Sequence, residues 1–558
     1  MKGKANDLGL FALICLCSSF GVAVGALSVP AAVDASASVR SKQCVIVGGG
    51  PVALAAALTL SNAPHFYNVT VLEKANNAYN YDPTMAYLYL IRSRGMAWFD
   101  MFPQALKKLV EKGLLSAAAG TATERYIVPA DPSIPIPRPL KAEVPPDEMS
   151  RRNYWIPRHS MVILLHECCL EQEQMRLRTK DHKIGSIRLF YEKKVEYIQS
   201  EADDMLTVTC SDNATFPASL VIGADGMDSA VRSCLADKSR SSWLQSRSNI
   251  FQVRRFKSPS TGLRLKTLMF PPGMAIPNTT DSMIVMQPEA GYFLESVNTG
   301  TRNKMNLICL PMNDPPSPRL GHCVFRPDHE IWRHSTGPAI KEFVVKSFPR
   351  INFDNFVTDE EWDRFAKAKG ATFPYCQYSP GSSLTSPSQD TGVVLVGDAC
   401  HAFPPDTGQG VNAGLEDVIA LDRALRGRCI ETGKISDKTK GTLLNLGHAL
   451  DAYQRNRGPE HKALIDLALC YAPYQYRQTW RRDQVGAFLW KANVVMRELL
   501  HKTTNGRFPP AAVSIIRNDD SLSFREVMRR AHFASRSLKF FAVLTIIVFT
   551  LSSSAFAS

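Results

Sequence analysis

An apolar run that ends in glycines constrains the fold of this 558-residue chain more than any other feature. Residues 44–47 are apolar throughout, as expected for a buried parallel strand, and three glycines follow at once. Gly48 permits a tight turn, Gly50 lets the backbone approach a phosphate, and Ala53 stands where a third glycine usually stands. A helix beginning at Val52 turns its N-terminal amides toward that phosphate. This pattern predicts a dinucleotide-binding α/β unit.

A carboxylate follows the second predicted strand, as a dinucleotide site requires. Residues 68–72 form that strand, and Glu73 closes it, in the position of an acid that binds a ribose hydroxyl. The adjacent Lys74 joins Glu73 among the cofactor-binding candidates. Strand, glycine turn, helix and acid in this order favour a bound nucleotide over a glycine turn without a ligand.

A second apolar strand, residues 219–222, runs into a Gly-Ala-Asp-Gly segment that contains Asp225 and Gly226. The small residues allow two chain segments to pass close together. Asp225 has two interpretations, because it either contributes to a cofactor site or caps the helix that follows. The segment by itself favours neither.

A third buried strand, residues 393–396, leads to Asp398, which is placed to accept a hydrogen bond from a ribityl hydroxyl. The helix that follows runs to Leu425, and its positive end would stabilise negative charge on a reduced flavin ring. Its first turn contributes the further cofactor-binding candidates Gly408, Gly410, Val411 and Asn412. We interpret His401 as a ring packed beside the cofactor and not as a base, since no acid lies near it in sequence.

Together these segments resemble the class A FAD-dependent monooxygenases, the aromatic-hydroxylase-like family, and within it the kynurenine 3-monooxygenase branch. Arg94, which follows an apolar stretch, and Arg158, which precedes a leucine-rich helix, match cofactor-contacting arginines of that branch. The resemblance covers roughly residues 42–425. The family positions that match are Gly48, Gly50, Val52, Glu73, Asp225, Gly226, Asp398, Gly408, Gly410 and Asn412.

The resemblance implies an α/β fold with a Rossmann-like FAD-binding domain, an inserted and mostly antiparallel β-sheet substrate domain, and a C-terminal helical region. The expected order is a signal or targeting segment (1–41), the FAD-binding domain in three parts (42–126, 154–245 and 376–430) with an irregular excursion (127–153) and the substrate-domain sheet (246–375) between them, C-terminal helices (431–537) and a membrane-spanning tail (540–558).

The implied activity is hydroxylation of an aromatic small molecule, such as kynurenine, through a flavin hydroperoxide, with FAD as cofactor and NADPH or NADH and O2 as co-substrates. Arg125 matches a substrate-binding arginine, although an ordinary surface arginine is an equal alternative. Tyr471 stands where the branch has a substrate-binding asparagine. No catalytic side chain is assigned with certainty, and no metal site is expected because the chain has no Cys-x-x-Cys spacing.

Two alternatives stay open. A flavin-dependent epoxidase or reductase of a lipid or isoprenoid fits a membrane-attached enzyme. A flavin-binding membrane protein that lacks turnover would carry the same cofactor motifs. Oxygen consumption coupled to NADPH oxidation, tested with kynurenine and then with isoprenoids, separates the first alternative from an aromatic hydroxylase. The second alternative predicts a yellow protein without substrate-stimulated NAD(P)H oxidation.

Both ends of the chain predict membrane targeting. The N-terminal segment, with two early lysines and an apolar run, resembles a signal peptide. Residues 540–558 carry no charge and, as a helix of roughly 28 Å, just reach across a bilayer. The two ends imply opposite orientations, so the sequence predicts an endomembrane or organelle membrane but not the side. The net charge of +13 is dispersed without a basic run, which argues against a nucleic-acid partner.

Overall fold

The computed structural model separates Met1–Ser41 from Lys42–Ser558 as two units. The predicted signal segment (1–41) lies outside the described residues, as do much of the predicted excursion and most side chains from residue 539 onward. The described residues are 42–80, 87–115, 124–141, 153–179, 184–201, 204–239, 242–271, 273–279, 282–297, 305–311, 318–427, 445–476, 478, 480–519 and 521–556.

The α-helices of this part of the chain follow in order. They are α1 Pro51–Ser61, α2 Ser93–Phe99, α3 Pro103–Lys112, α4 Arg158–Thr179, α5 Ala230–Ala236, α6 Ser248–Phe251, α7 Gly337–Ser347, α8 Asp359–Lys367, α9 Gly410–Leu425, α10 Leu446–Cys470, α11 Arg481–Thr503, α12 Ala512–Asn518 and α13 Phe524–Phe556.

The strands, in chain order, are β1 Gln43–Val47, β2 Asn68–Leu72, β3 Leu88–Ile91, β4 Leu114–Leu115, β5 Glu124–Val128, β6 Leu140–Lys141, β7 Tyr154–Pro157, β8 Ile187–Phe190, β9 Val195–Ser200, β10 Leu206–Cys210, β11 Thr215–Ala218, β12 Leu220–Gly223, β13 Arg254–Phe256, β14 Arg264–Phe270, β15 Ala275–Thr279, β16 Ser282–Val285, β17 Gly291–Glu295, β18 Asn306–Cys309, β19 Arg319–Phe325, β20 Ala371–Thr372, β21 Cys376–Tyr378, β22 Ser383–Thr385, β23 Gly392–Leu395 and β24 His401–Ala402.

The first sheet brings together the strands of all three glycine motifs. Its order is β22-β23-β12-β1-β2-β8, and every pairing except β22–β23 is parallel. Val47 lies opposite Leu72 and Gly223, and Gly223 lies opposite Leu395. Because these strands are parallel and in register, their carboxyl ends meet at one edge, which is where open α/β sheets bind ligands.

The second sheet is mostly antiparallel, which confirms the fold class expected from the sequence. Its order is β20-β14-β19-β18-β17-β5-β6, with one parallel pairing, β5–β17. The structure places β5 here, although sequence position alone put it at the end of the first FAD-binding part. Tyr126 of β5 stacks on Tyr292 of β17, with ring centroids 4.9 Å apart. Helices α7 and α8 cover the core side of this sheet.

The C-terminal helices pack on the dinucleotide-binding part. Helix α10 lies against α9 and α13, and α13 also contacts α12. The predicted membrane tail, residues 540–558, is largely the end of α13. Searched over the described residues, the helices include none whose length and apolar character would suffice for a membrane crossing.

Candidate active site

The first two motifs approach each other at the carboxyl edge of the first sheet. Gly48 has φ +109°, a conformation that favours glycine, and its amide donates to the Leu72 carbonyl at 2.8 Å. A Cβ at Gly48 would lie 2.5 Å from the carbonyl oxygen of Ala224. The turn therefore passes so close to the second motif that only glycine fits.

The third motif contacts both of the others. A Cβ on Gly414, in α9, would lie 2.5 Å from Cγ2 of Val52, so α1 and α9 pack in close contact. Arg232, which follows the second motif, donates from Nη1 to the Ala399 carbonyl at 2.6 Å. Three segments that are remote from one another in the chain thus meet pairwise around one sheet edge.

Four glycines of these motifs border free space. A Cβ built on Gly50, Gly226, Gly408 or Gly410 meets no atom within 4 Å. Gly50 precedes the first residue of α1, and Gly410 begins α9, so open space lies beside the N-termini of both helices. Exposed amides at helix N-termini bind phosphate and other anions. The arrangement fits a dinucleotide, with Ala53 and Val411 buried in the helices behind it.

Three charged candidates lie around the same edge. Burial lowers the pKa of Arg158, but attraction to Tyr87, Tyr89 and Glu73 outweighs burial. The pKa of Arg158 is therefore raised overall. Asp398 is accessible to solvent. The surrounding protein nevertheless desolvates its carboxyl and raises its pKa, although attraction to His401 and Arg158 acts in the opposite direction. Arg158 therefore couples electrostatically to both acids that the sequence assigned to opposite ends of the cofactor.

Glu73 and Asp225 both accept backbone hydrogen bonds. Oε2 of Glu73 accepts from the Gly49 amide at 2.5 Å, and the neighbouring Lys74 is exposed. Oδ2 of Asp225 accepts from the amides of Ala230, at 2.7 Å, and Val231, so the capping role is confirmed. Oδ1 of Asp225 is buried without a hydrogen-bond partner among the described residues, which leaves it available to a ligand.

Asn412 and Arg94 hold neighbouring segments in place. Oδ1 of Asn412 accepts from the Arg92 amide at 2.8 Å, and its Nδ2 donates to the Leu90 carbonyl at 2.9 Å. These bonds fix the connection between β3 and α2 against α9.

Arg94 donates to Oε1 of Glu416 at 3.0 Å and to the Leu522 carbonyl, and it lies 4.1 Å from the centroid of the Phe524 ring. These contacts give Arg94 a packing role between α2, α9 and α13, and its role in binding the cofactor stays a prediction.

His401 has an acid partner that the sequence analysis missed. Its Nε2 lies 2.7 Å from Oδ2 of Asp417, and His461 and Arg457 bind the other oxygen at 3.0 and 2.6 Å. The ligand atoms of both imidazoles and Asp417 lie within 4.8 Å of one another, a spacing that could suit a metal ion. The Arg457 guanidinium already supplies the cationic partner of Asp417. The only sequence signal was an acid about two turns inside the third-motif helix.

The two substrate candidates lie in different parts of the fold. Arg125 is exposed on β5 of the second sheet. Tyr471 follows the last residue of α10 and packs, partly buried, against the cluster of C-terminal helices. Their roles in substrate binding stay predictions.

One face of the second sheet turns toward the dinucleotide-binding part. Leu320 on this face packs with Met269 and with Leu88 of β3. His322 is buried on the same sheet, its Nδ1 lies 3.1 Å from Oγ1 of Thr267, and burial lowers its pKa to about 4. This face therefore offers an apolar wall with a neutral imidazole.

The match to a protein family identifies the cofactor of this site. The family described as FAD binding domain matches residues 177–466, which is just over half of the chain. The chain belongs to this FAD-binding family. FAD is thus the dinucleotide that the glycine-lined space suits, and the expected cofactor is confirmed at the level of the family.

Several curated proteins are similar to this FAD-binding protein. A kynurenine 3-monooxygenase of Dictyostelium discoideum is 25% identical over 300 residues, covering 53% of this chain and 56% of the relative. One of Phaeosphaeria nodorum is 42% identical over 136 residues, 23% of either chain. A 3-(3-hydroxy-phenyl)propionate/3-hydroxycinnamic acid hydroxylase of Burkholderia cenocepacia is 40% identical over 167 residues, 30% of this chain and 27% of the relative. The chain spans about half or less of the length of these curated relatives.

Among solved structures, the tetrameric form of 2-methyl-3-hydroxypyridine-5-carboxylic acid oxygenase is 17% identical, with a TM-score of 0.48, over 77% of this chain and 91% of the other. The tetracycline destructase Tet(51) is 16% identical, with a TM-score of 0.48, over 84% of this chain and 98% of the other.

Proposed function

We propose that this FAD-binding protein is a monooxygenase that uses NADPH or NADH and O2 to hydroxylate an aromatic small molecule. The observation that carries the proposal is the pairwise contact of three distant motifs around a glycine-lined space. The names of the similar proteins, kynurenine 3-monooxygenases and a hydroxylase of hydroxyphenyl acids, indicate the substrate class. Kynurenine is therefore the first substrate to test.

The cofactor-binding residues have separate roles in this proposal. Bound FAD supplies the redox chemistry between NAD(P)H and O2. The Gly50 turn and the N-terminus of α1 hold the pyrophosphate, and Glu73 binds the ribose. Asp398 binds the ribityl chain, and the N-terminus of α9 at Gly410 stabilises negative charge on the ring. Lys74, Arg94, Arg158, Asp225, Gly226 and Asn412 complete the proposed cofactor set.

The remaining residues position the substrate and exclude water. The apolar face of the second sheet forms one wall of the proposed chamber. Arg125 is the proposed partner of a substrate carboxylate, and Tyr471 the proposed contact from the C-terminal helices. Such a chamber needs few catalytic side chains, because positioning and exclusion of water do most of the work.

We also propose that residues 540–558 attach the protein to an endomembrane or organelle membrane. The support is the sequence, since this stretch carries no charge and basic residues precede it.

The cofactor proposal is tested by filling the glycine-lined space. Gly50→Val and Gly410→Val each add a side chain where the protein itself leaves room, so both variants should fold. We expect each to lower FAD occupancy about tenfold, measured by flavin absorbance after purification. Gly291→Ala is the control, because its added methyl meets nothing closer than 3.8 Å in the second sheet.

Wild-type protein purified without FAD, or full occupancy in both valine variants, would contradict the cofactor proposal. The activity is then measured as substrate-stimulated NADPH oxidation with L-kynurenine and with an isoprenoid. Stimulation by the isoprenoid alone would favour the epoxidase or reductase alternative. Bound FAD without stimulation by any substrate would favour a protein that lacks turnover.

A further inference from the structure

The turn between β24 and α9 carries a buried acid that the proposed cofactor set does not use. This acid, Asp406, lies where three parts of the chain meet. Its Oδ1 accepts a hydrogen bond from the Ser260 hydroxyl at 2.7 Å, and Ser260 lies just before β14 of the second sheet. Tyr476, which follows α10, interacts electrostatically with Asp406. Its ring contacts the Phe373 ring edge to face, with the ring centroids 5.3 Å apart. The carboxyl thus borders the dinucleotide-binding part, the second sheet and the C-terminal helices.

One oxygen of this carboxyl lacks a hydrogen-bond partner among the described residues. Asp406 is only 3% exposed, and its Oδ2 is buried without a hydrogen bond to any described residue. Other buried acids of the chain are paired with cations, as Asp417 is with Arg457 and Asp422 with Arg426. A buried carboxylate oxygen without a donor is costly, so a missing donor is expected to come from a ligand.

Asp406 is close in sequence to two motif glycines that face open space, because Gly408 and Gly410 follow it by two and four residues and leave their Cβ positions free. We propose that Asp406 is a specificity-determining residue, whose free oxygen accepts a hydrogen bond from a hydroxyl or amino group of the aromatic substrate. The inference rests on the proposed monooxygenase function and assigns this carboxyl to substrate recognition.

The protonation behaviour of the site agrees with this role. Burial raises the pKa of Asp406 to about 7, against the hydrogen bond from Ser260. The titratable groups that face it are Cys376, whose pKa burial raises to about 12, and Tyr476, whose pKa burial also raises. Both stay protonated and uncharged near pH 7, and neither a thiol nor a phenol carries positive charge at any pH. A donor on the substrate would therefore favour the ionised carboxylate.

The test compares ligands that carry a donor with ligands in which methyl groups replace the donor hydrogens. FAD-loaded wild type, Asp406→Asn and Asp406→Ala are titrated with phenol against anisole and with aniline against N,N-dimethylaniline, following the flavin absorbance. We expect wild type to bind the donor member about tenfold more tightly, and both variants to lose that preference. Asp390→Asn is the control, since Asp390 is an exposed aspartate. The ratio of the two affinities isolates the donor, because a general packing defect would weaken both ligands alike.

Each outcome decides the question. An unchanged ratio in the Asp406 variants, or no binding of any donor probe to FAD-loaded wild type, would overturn the inference. A change in FAD affinity or spectrum of the Asp406 variants without ligand would assign the carboxyl to the cofactor and also overturn it. Absence of FAD from wild type is a different failure, because it contradicts the proposed function before any probe is added.

Discussion

Asp406 and Asp417 lie eleven residues apart, on either side of the first turn of α9, and their pKa values shift in opposite directions. Burial raises the pKa of Asp406 because the hydroxyl of Ser260 is too weak a partner to offset it. Burial acts on Asp417 in the same direction, but attraction to Arg457, His401 and His461 outweighs it and holds the pKa well below its usual range. The nearby cations decide which acid stays ionised.

Asp406→Asn should change how stability depends on pH. The unfolded carboxyl loses its proton near pH 4 and the folded one near pH 7, so wild type loses stability as the pH rises through this interval. Within this interval, the free energy of unfolding of wild type falls by about 1.4 kcal/mol for each pH unit. The variant lacks this loss, so its free energy of unfolding should rise relative to that of wild type between pH 4 and pH 7.

Denaturant unfolding of the FAD-free proteins at pH 5 and pH 8 measures the difference. The amide oxygen of the asparagine can still accept from the Ser260 hydroxyl at both pH values, so this bond does not mask the trend. Parallel pH profiles for wild type and variant would show that Asp406 has an ordinary pKa.

At the scale of elements, Asp417 ties three of them together. Its Oδ2 accepts from the Gly397 amide at 2.9 Å and so holds the turn that presents Asp398. Its Oδ1 binds Arg457 and His461, both on α10. The network therefore fixes the cofactor turn, α9 and α10 relative to one another.

Asp417→Asn should destabilise the protein by about 2 to 3 kcal/mol, because it removes a carboxylate from the buried Arg457 guanidinium and leaves Glu416, 3.2 Å from Nη1, as the acid that still pairs with it. The free energy of unfolding from a denaturant titration measures this effect. FAD retention should fall as well, since the turn at Gly397 loses its anchor. Asp390→Asn, at an exposed position, serves as the control. A loss below about 0.5 kcal/mol would mean that the network relaxes without cost.

At the scale of the whole molecule, the site is assembled from segments that are remote in the chain. Val52 contacts Gly414, and Oδ1 of Asn412 accepts a hydrogen bond from the backbone amide of Arg92. Arg94 extends this assembly to α13 through Leu522 and Phe524. The C-terminal helices are thus part of the support of the cofactor site, as well as the elements that lead to the proposed membrane tail.

The proposed membrane attachment concerns the full-length protein and is tested on it. Full-length protein should sediment with membranes after a carbonate wash, whereas a chain ending at residue 539 should remain in the supernatant. Val543→Arg places a charge in the proposed span at a side chain that is exposed on α13, and it should weaken attachment. Equal sedimentation of all three proteins would refute the role of the tail.

Much of the fold followed from short stretches of sequence. Residues 44–60 and 393–425 each contain a buried strand, a glycine turn and a helix, and the structure confirms them as β1 with α1 and as β23 with α9. Such units are readable because each turn, cap and apolar period depends on neighbours in sequence. The α/β class and the FAD-binding family follow from their order.

Only the tertiary structure decided the side-chain partners. Asp417 reaches His401 across a turn and a helix, β5 joins the second sheet beside β17, and Ser260 meets Asp406 across 146 residues. Nothing local in the chain specifies these pairs, because they depend on how whole elements pack. Backbone geometry is set by adjacent residues, whereas the charge and hydrogen bonding of a buried group are set by whatever the folded chain brings beside it.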